Sequence, residues 1–398
     1  MLNVISLFTG IGGLDFGFHA AGFRTAVAIE QDEVCCDTIR LNHDWPILNG
    51  DINTFTSRKI LRTAGLKKGE ADILIGGPPC QPFSKSSYWV TGDSSRLDDP
   101  RADTLTAFLR VLRDTQPRTF LLENVKGFAY RGKETGLHYI LDGVREINRA
   151  TKSNYQVSWM VLNAADYGVP QLRERIFLVA SRDGRPFVFP EPTHGEGRQE
   201  TYRTTWDAIG DLPADPDNIN LSIRGKWAKL LKSIPEGENY LWHTPRGRGK
   251  PLFGWRTRYW NFMLKLAKSR PSWTIQASPG PSTGPFHWRN RLLSPKELSR
   301  IQTFPDDIAF NTSHKNMQRM IGNAVPSLLA EVLATEIREQ LLNNPRNCNS
   351  YTLLRQRQSN IPKPERVRSL DPSFECLLGD HPEHAGEGLG PRALRRTG

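Results

Sequence analysis

A chain of 398 residues is longer than one hydrophobic core usually serves, and its 38% hydrophobic and 24% charged residues are ordinary globular values. No apolar run approaches the roughly 18 residues of a membrane span, and Met1-Leu2-Asn3-Val4 lacks the basic stretch and long apolar run of a secretory leader. The formal net charge of +11 favours a polyanionic partner, nucleic acid first, although a GC-rich genome alone also yields basic proteins. The five cysteines, Cys35, Cys36, Cys80, Cys348 and Cys376, are odd in number and match no zinc spacing, so a reduced, cytoplasmic, metal-free protein is expected.

From the N-terminus, Leu2 to Phe8 reads as a strand and Gly13 to Ala21 as a helix. Thr25 to Glu30 is a second strand, Glu33 to Asn42 a helix, and Asp72 to Ile75 a short apolar strand stopped by Gly76-Gly77-Pro78-Pro79. Thr104 to Arg113 is an amphipathic helix, Thr119 to Leu122 a strand and Gly136 to Ala150 a helix. Tyr155 to Leu162 and Ile176 to Ala180 are strands. This alternation predicts an α/β fold with a mostly parallel sheet covered on both faces, whose ligands bind beyond the carboxyl ends of the strands. The texture changes after Ser181. Residues 181–290 are rich in Pro, Gly, Trp, Arg and Lys without long periodicity, which predicts an irregular second domain with a basic, aromatic surface. Regular pattern returns with Ser294-Pro295-Lys296-Glu297, a capped helix start, and with a helix over Val325 to Leu342. Residues 343–398 are polar and rich in Arg, Pro and Gly, and are expected to be a flexible basic tail, so that a chain ending near Asn344 should fold and act.

Chemistry concentrates at predicted strand ends. Phe8-Thr9-Gly10-Ile11-Gly12-Gly13-Leu14 is a glycine loop opening a helix, where backbone can approach a ligand closely. Glu30 ends the next strand, where a carboxylate suits ribose hydroxyls, and Asp51 follows another. Asp15 stands where a dinucleotide loop needs its third glycine, so a nucleoside with a short charged tail fits better than a pyrophosphate. In Gly76-Gly77-Pro78-Pro79-Cys80-Gln81-Pro82-Phe83-Ser84, prolines on both sides of Cys80 stiffen an extended loop that could present a thiolate; a small buried hydrophobe is the alternative. Glu123-Asn124 ends a further strand at the same edge, where partial burial would raise the Glu123 pKa and make it a proton donor; a structural Glu-Asn is the alternative. In Gln171-Leu172-Arg173-Glu174-Arg175 the two arginines share a face and suit an anion or a base carbonyl, unless they are a solvated charge run.

Together, and in this order, these segments resemble the DNA cytosine-5 methyltransferase family of the bacterial restriction–modification type. The likeness extends to Arg291 to Asp306, with Gln302-Thr303-Phe304-Pro305-Asp306, similar to the segment that supports the recognition domain. It ends with Met320-Ile321-Gly322-Asn323-Ala324-Val325-Pro326, similar to the motif that returns to close the cofactor pocket. It covers residues 1 to about 338. It departs after Asp99-Pro100-Arg101, where Ala102 stands in place of the usual glycine, which puts one contact of the cofactor wall in doubt.

The resemblance implies a Rossmann-like fold of the S-adenosylmethionine-dependent methyltransferases, with residues 1–180 as catalytic and cofactor domain. Residues 181–290 would be the smaller target-recognition domain, and 291–342 the return segment that completes the catalytic domain. It implies that S-adenosylmethionine, leaving as S-adenosylhomocysteine, contacts Phe8, Gly10, Gly12, Gly13, Leu14, Glu30, Asp51, Ile52, Pro78 and Asn323. Cys80 would add to C6 of a flipped-out cytosine in double-stranded DNA, with Glu123 on N3 and the exocyclic amine and Arg175, helped by Arg173, on O2. C5 then takes the methyl group, a base removes the C5 proton and Cys80 leaves. Gln81 and Ser84 would meet DNA, Phe83 to Arg101 would form a lid, and Thr274-Ile275-Gln276 would approach the target base. For Thr274-Ile275 an ordinary strand is the alternative. A monomer without a membrane partner is expected. The alternatives are a tRNA cytosine methyltransferase of the same family, disfavoured by the long stretch between Arg175 and Arg291, and a non-catalytic DNA-binding protein, disfavoured by the presence of both Cys80 and Glu123.

Overall fold

The computed structural model describes residues 1–79, 103–129, 135–214, 220–255, 260–345 and 350–379. Cys80, Gln81, Ser84 and the expected lid from Phe83 to Arg101 lie outside the described residues. In chain order the first half runs β1 (Leu2–Leu7), α1 (Gly13–Ala20), β2 (Phe23–Glu30), α2 (Glu33–Asn42), β3 (Ile47–Asn49), α3 (Ser57–Ala64) and β4 (Ile73–Gly76). It continues through α4 (Asp103–Thr115), β5 (Thr119–Val125), α5 (Thr135–Thr151), β6 (Ser158–Asn163), β7 (Gln171–Leu172) and β8 (Glu174–Ser181).

Seven of these strands make one sheet in the order β3-β2-β1-β4-β5-β8-β6. β1 to β5 pair in parallel, as the alternating pattern predicts. β8 is the exception and runs antiparallel to both β5 and β6. The link from Asn163 to Glu174 is too short for a helical crossover, so the chain turns back beside the strand it has just left. Alternate side chains on the strands feed opposite layers. Ile5, Leu7, Leu74, Phe120 and Leu122 pack with α4 and α5. Val4, Ile73, Ile75 and Leu121 face the other way, onto α1 and the last long helix.

The second half contains α6 (Thr205–Ile209), β9 (Ser272–Trp273), α7 (Pro295–Ile301), α8 (His314–Asn323) and α9 (Ser327–Gln340). Between Ser181 and Ser294 regular structure is sparse among the described residues, and the packing there is aromatic. Trp227, Tyr240, Phe253 and Phe262 meet edge to face around Leu230, Leu231 and Met263. Ser294 caps α7 as its sequence predicts: its hydroxyl accepts from Glu297 N–H, and Glu297 accepts from Ser294 N–H at 2.7 Å. The stretch His314–Gln340 is apolar enough on average to cross a membrane, but it is two helices, mostly buried in the core.

The tail expectation is corrected over 350–379. Tyr351, Leu353 and Leu354 pack on the α1/α9 layer, and Phe374, 4% exposed, joins the aromatic cluster with its ring stacked on Trp227. A segment with so little periodicity does not signal this, because it has no shared face; each anchor is a single side chain fitting a prepared place. Residues 380–398 lie outside the described residues.

Candidate active site

The strand order reverses between β1 and β4, so the chains leaving these neighbouring strands turn to opposite sides and open a crevice at the sheet's carboxyl edge. The expected cofactor loop leaves β1 there. Phe8, Gly10 and Gly12 have positive φ of 54°, 58° and 86°, a path glycine follows at little cost. Gly10 N–H donates to Glu30 Oε2 at 2.7 Å, which ties the loop to the end of β2. A Cβ on Gly10 would meet nothing within 4 Å, whereas one on Gly13 would sit 2.6 Å from Val325 O, where the return segment presses on α1.

Glu30 Oε1 also accepts from Gln31 and Asp32 N–H, both at 2.9 Å. Three of its roughly four lone-pair sites are thus used, and one remains for a ligand hydroxyl. Burial pushes its pKa up, and the three backbone donors pull it back. Asp51 is exposed and caps the turn after β3 through Asn53 N–H. Two expected contacts are narrowed. Leu14 and Ile52 turn their side chains into the core, so only their backbones can meet a ligand, and Ile52 O already accepts from Arg110 at 2.9 Å. Asn323 is exposed at the end of α8, and Pro78 is buried at the exit from β4.

Glu123 and Arg175 meet across the β5–β8 pair, Nε to Oε1 at 3.0 Å, both largely buried. Burial raises the Glu123 pKa, and the Arg175 and Arg173 charges oppose that rise. The chain that leads toward Cys80 leaves β4 against this carboxylate: a Cβ on Gly77 would lie 2.9 Å from Glu123 Oε2, and Asn124 Nδ2 donates to Pro78 O at 3.3 Å. The two thiols of α2 are poor nucleophiles, since burial pushes Cys35 far up and Cys36 to about 12.

Arg173 departs from its expected role. Only 1% exposed, it donates to Ile275 O at 3.2 Å and Gly322 O at 2.7 Å, so it holds two backbone segments together, and its charge also acts on Glu123. Ile275 is also corrected: it is 1% exposed and packed among Phe304, Met320 and Ile321, so its side chain cannot lie beside a base. Thr274 Oγ1 donates to Leu172 O at 2.7 Å, and Gln276 O accepts from Gln318 at 2.7 Å. This segment follows β9, which pairs with β7.

Two buried polar residues, Gln302 and Asp15, had no role assigned from the sequence. Gln302, fully buried, accepts from Gln171 Nε2 at 2.6 Å and donates to Ile321 O and Ala324 O, while Gln171 Oε1 accepts from Ile275 N–H. One polar hub therefore joins β7, the segment after β9 and the return segment. Asp15 is buried below the glycine loop, accepting from Ser6 Oγ at 2.9 Å and Thr25 Oγ1 at 2.8 Å. Ser6 and Thr25 are buried polar residues in otherwise apolar strands.

The model of the C-5 cytosine-specific DNA methylases matches residues 2–339. The chain belongs to that family. It is 39% identical over 372 residues to the Type II methyltransferase M.SacI of Streptomyces achromogenes, covering 85% of this chain and 93% of that one. It is 34% identical over 347 residues to the Type II methyltransferase M1.HphI of Haemophilus parahaemolyticus, covering 84% and 86%. In fold, this methylase is similar to a chain encoded within an E. coli prophage, with TM-score 0.64, 22% identity and 86% and 100% of the two chains covered. It is also similar to the DNMT2 of Spodoptera frugiperda, with TM-score 0.60, 17% identity and 85% and 99% covered. The mostly parallel sheet is thus a methyltransferase sheet, and the protein is a DNA (cytosine-5) methyltransferase, an enzyme class that uses S-adenosylmethionine.

Proposed function

We propose that this methylase acts at specific sites in double-stranded DNA, through a covalent bond between Cys80 and C6 of a flipped-out cytosine, and takes its methyl group from S-adenosylmethionine. The observation that carries the reading is the buried Glu123–Arg175 pair, set against Gly77, three residues before Cys80 in the chain. The residues at the switch point fit the cofactor: an open glycine loop, one free acceptor site on Glu30 and an exposed Asp51 suit a nucleoside with hydroxyl and amino groups. When bound, S-adenosylmethionine supplies an electrophilic methyl group.

Cys80 as thiolate forms the S–C6 bond, and the C5–C6 π electrons move toward C5 and N3. Glu123, its pKa raised by burial, holds a proton for N3 and accepts from the exocyclic amine. Arg175 bonds O2 while its Nε keeps the carboxylate oriented. After C5 gains the methyl group, a base takes the C5 proton, the S–C6 bond breaks and aromaticity returns. Gln81 and Ser84 in the Cys80 loop, with Thr274 and Gln276 near β9, are the DNA contacts we assign. The Type II relatives support a restriction–modification setting, and we propose a bacterial enzyme that works in the cytoplasm as a monomer. DNA bearing 5-fluorocytosine should trap a denaturant-resistant complex, visible as a shifted band, because fluorine cannot leave C5 as a proton. Cys80→Ala should abolish the band. Its persistence in that variant would refute the assignment.

A further inference from the structure

The segment 350–379 lies beyond the family match, which ends at residue 339, yet it runs from the catalytic sheet layer to the far aromatic cluster. Its first anchor is Glu331, fully buried on α9, whose two carboxylate oxygens accept from Thr352 N–H at 2.7 Å and Leu353 N–H at 2.8 Å. Arg355 then pairs with Asp306 in the link between α7 and α8. Arg357 reaches Glu200 at 3.1 Å and Asp207 at 3.7 Å, and Gln358 N–H donates to Asp207 Oδ1 at 3.0 Å. Asp207 is the capping-box residue of α6, so the segment holds that helix at its first turn. Farther on, Glu365 pairs at 3.3 Å with Lys268, a buried lysine that also binds Glu236. The path ends with Phe374 stacked on Trp227, ring centroids 5.8 Å apart and 10° from parallel.

Charge alternates along the path to match what it crosses: arginines on acids, then acids on lysines. A solvated tail has no reason to match its neighbours over so long a course. The irregular lobe is also joined to the sheet domain by other ties: two-residue β9 pairs with β7, Arg173 and Gln171 hold Ile275, α6 packs on α7, Asp166 O accepts from Thr193 and His194 N–H, Arg185 donates to Leu341 O, and Arg300 pairs with Asp211. None of these ties involves Trp227, Tyr240, Phe253 or Phe262, the aromatic cluster that the segment reaches through Phe374.

We propose that residues 350–379 are a clamp that sets the orientation of the irregular lobe over the catalytic edge, and so acts as a positioning segment for duplex DNA. This rests on the reading of that lobe as the DNA-recognition domain. Arg357 and Phe374 touch neither crevice residue nor reacting atom, so their part is played through the lobe they hold.

The test uses the full chain with Arg357→Ala, Phe374→Ala and the charge-conserving Arg357→Lys. Backbone amides of residues 230–240 and 262–266 should exchange hydrogen faster in the two alanine variants, while those of β1 and β4 are unchanged. KM for DNA should rise at least about fivefold, which corresponds to about 1 kcal/mol of lost alignment. The kcat value and the affinity for S-adenosylmethionine should stay near those of the parent, and Arg357→Lys should recover part of the loss. Unchanged exchange in both alanine variants would overturn the clamp itself. Faster exchange with an unchanged KM for DNA would overturn the positioning role, and would trace the failure to the assignment of the lobe as the DNA reader.

Discussion

Asp15 and Glu123 are both buried carboxylates at one sheet edge, but their surroundings differ. Glu123 has a guanidinium at 3.0 Å, while Asp15 has two hydroxyl donors, and burial lifts its pKa to about 6. The folded protein therefore holds a proton on Asp15 between about pH 4 and 6 that the unfolded chain has released. Stability from this group is full below about pH 4, falls as pH rises to about 6 and is flat above. At about 1.4 kcal/mol per pKa unit the difference is about 3 kcal/mol. An asparagine can accept from one hydroxyl and donate to the other, so Asp15→Asn should be more stable than the parent at pH 7.5, with the gap closing at pH 4. Urea titrations at the two pH values measure this, and a gap independent of pH would contradict it. Asp15 was legible only as a broken glycine pattern, because its role depends on Ser6 and Thr25, which the sheet brings to it from two different strands.

Among elements, the contact between α1 and α9 is the most demanding. A Cβ on Gly17 would lie 2.4 Å from both Ala330 Cβ and Ser327 O. Alanine at an exposed helical glycine gains up to about 1 kcal/mol of propensity. Here overpacking of about 1–3 kcal/mol opposes it, and the atoms in the way include backbone. Gly17→Ala should therefore lower stability, and weaken cofactor binding as well, because α1 begins directly at the glycine loop. Denaturant unfolding and calorimetry with S-adenosylmethionine check the two effects; a stabilised variant would show that α9 can shift. Both helices were legible from periodicity, with the α9 start displaced to Ser327 by Pro326. Their pairing was not, since nothing local in residues 13–20 refers to residues 327–340.

For the whole molecule, the expectation that a chain ending near Asn344 is intact reverses. Such a chain strips Glu331 of two N–H donors and empties the Phe374 place in the aromatic cluster. Hydrogen bonds to charged groups and loss of a core phenylalanine together come to on the order of 5 kcal/mol. The truncated protein should unfold at a clearly lower temperature and be cut early by protease within residues 220–290. A truncation with the parent's melting behaviour would return the segment to the status of a tail.

The sequence by itself determined the alternation of strands and helices, the carboxyl-edge position of the glycine loop, Glu30 and Glu123, and the family. Each of these depends on short-range pattern: periodicity, prolines that stop a strand, an acid at a strand's end. Only the tertiary structure decided which neighbours such residues keep. Arg173 and Arg175 are two residues apart and alike in sequence, yet Arg175 meets Glu123 while Arg173 disappears beneath Ile275 and Gly322. Thr274-Ile275 reads as a recognition pair or an ordinary strand until its packing buries Ile275. Residues 350–379 read as solvent-borne until Glu331, Asp207, Lys268 and Trp227 are found waiting along their path. Periodicity reports how a chain buries a face against one layer. It is silent about single side chains fitted one at a time into places built by residues far away in the chain.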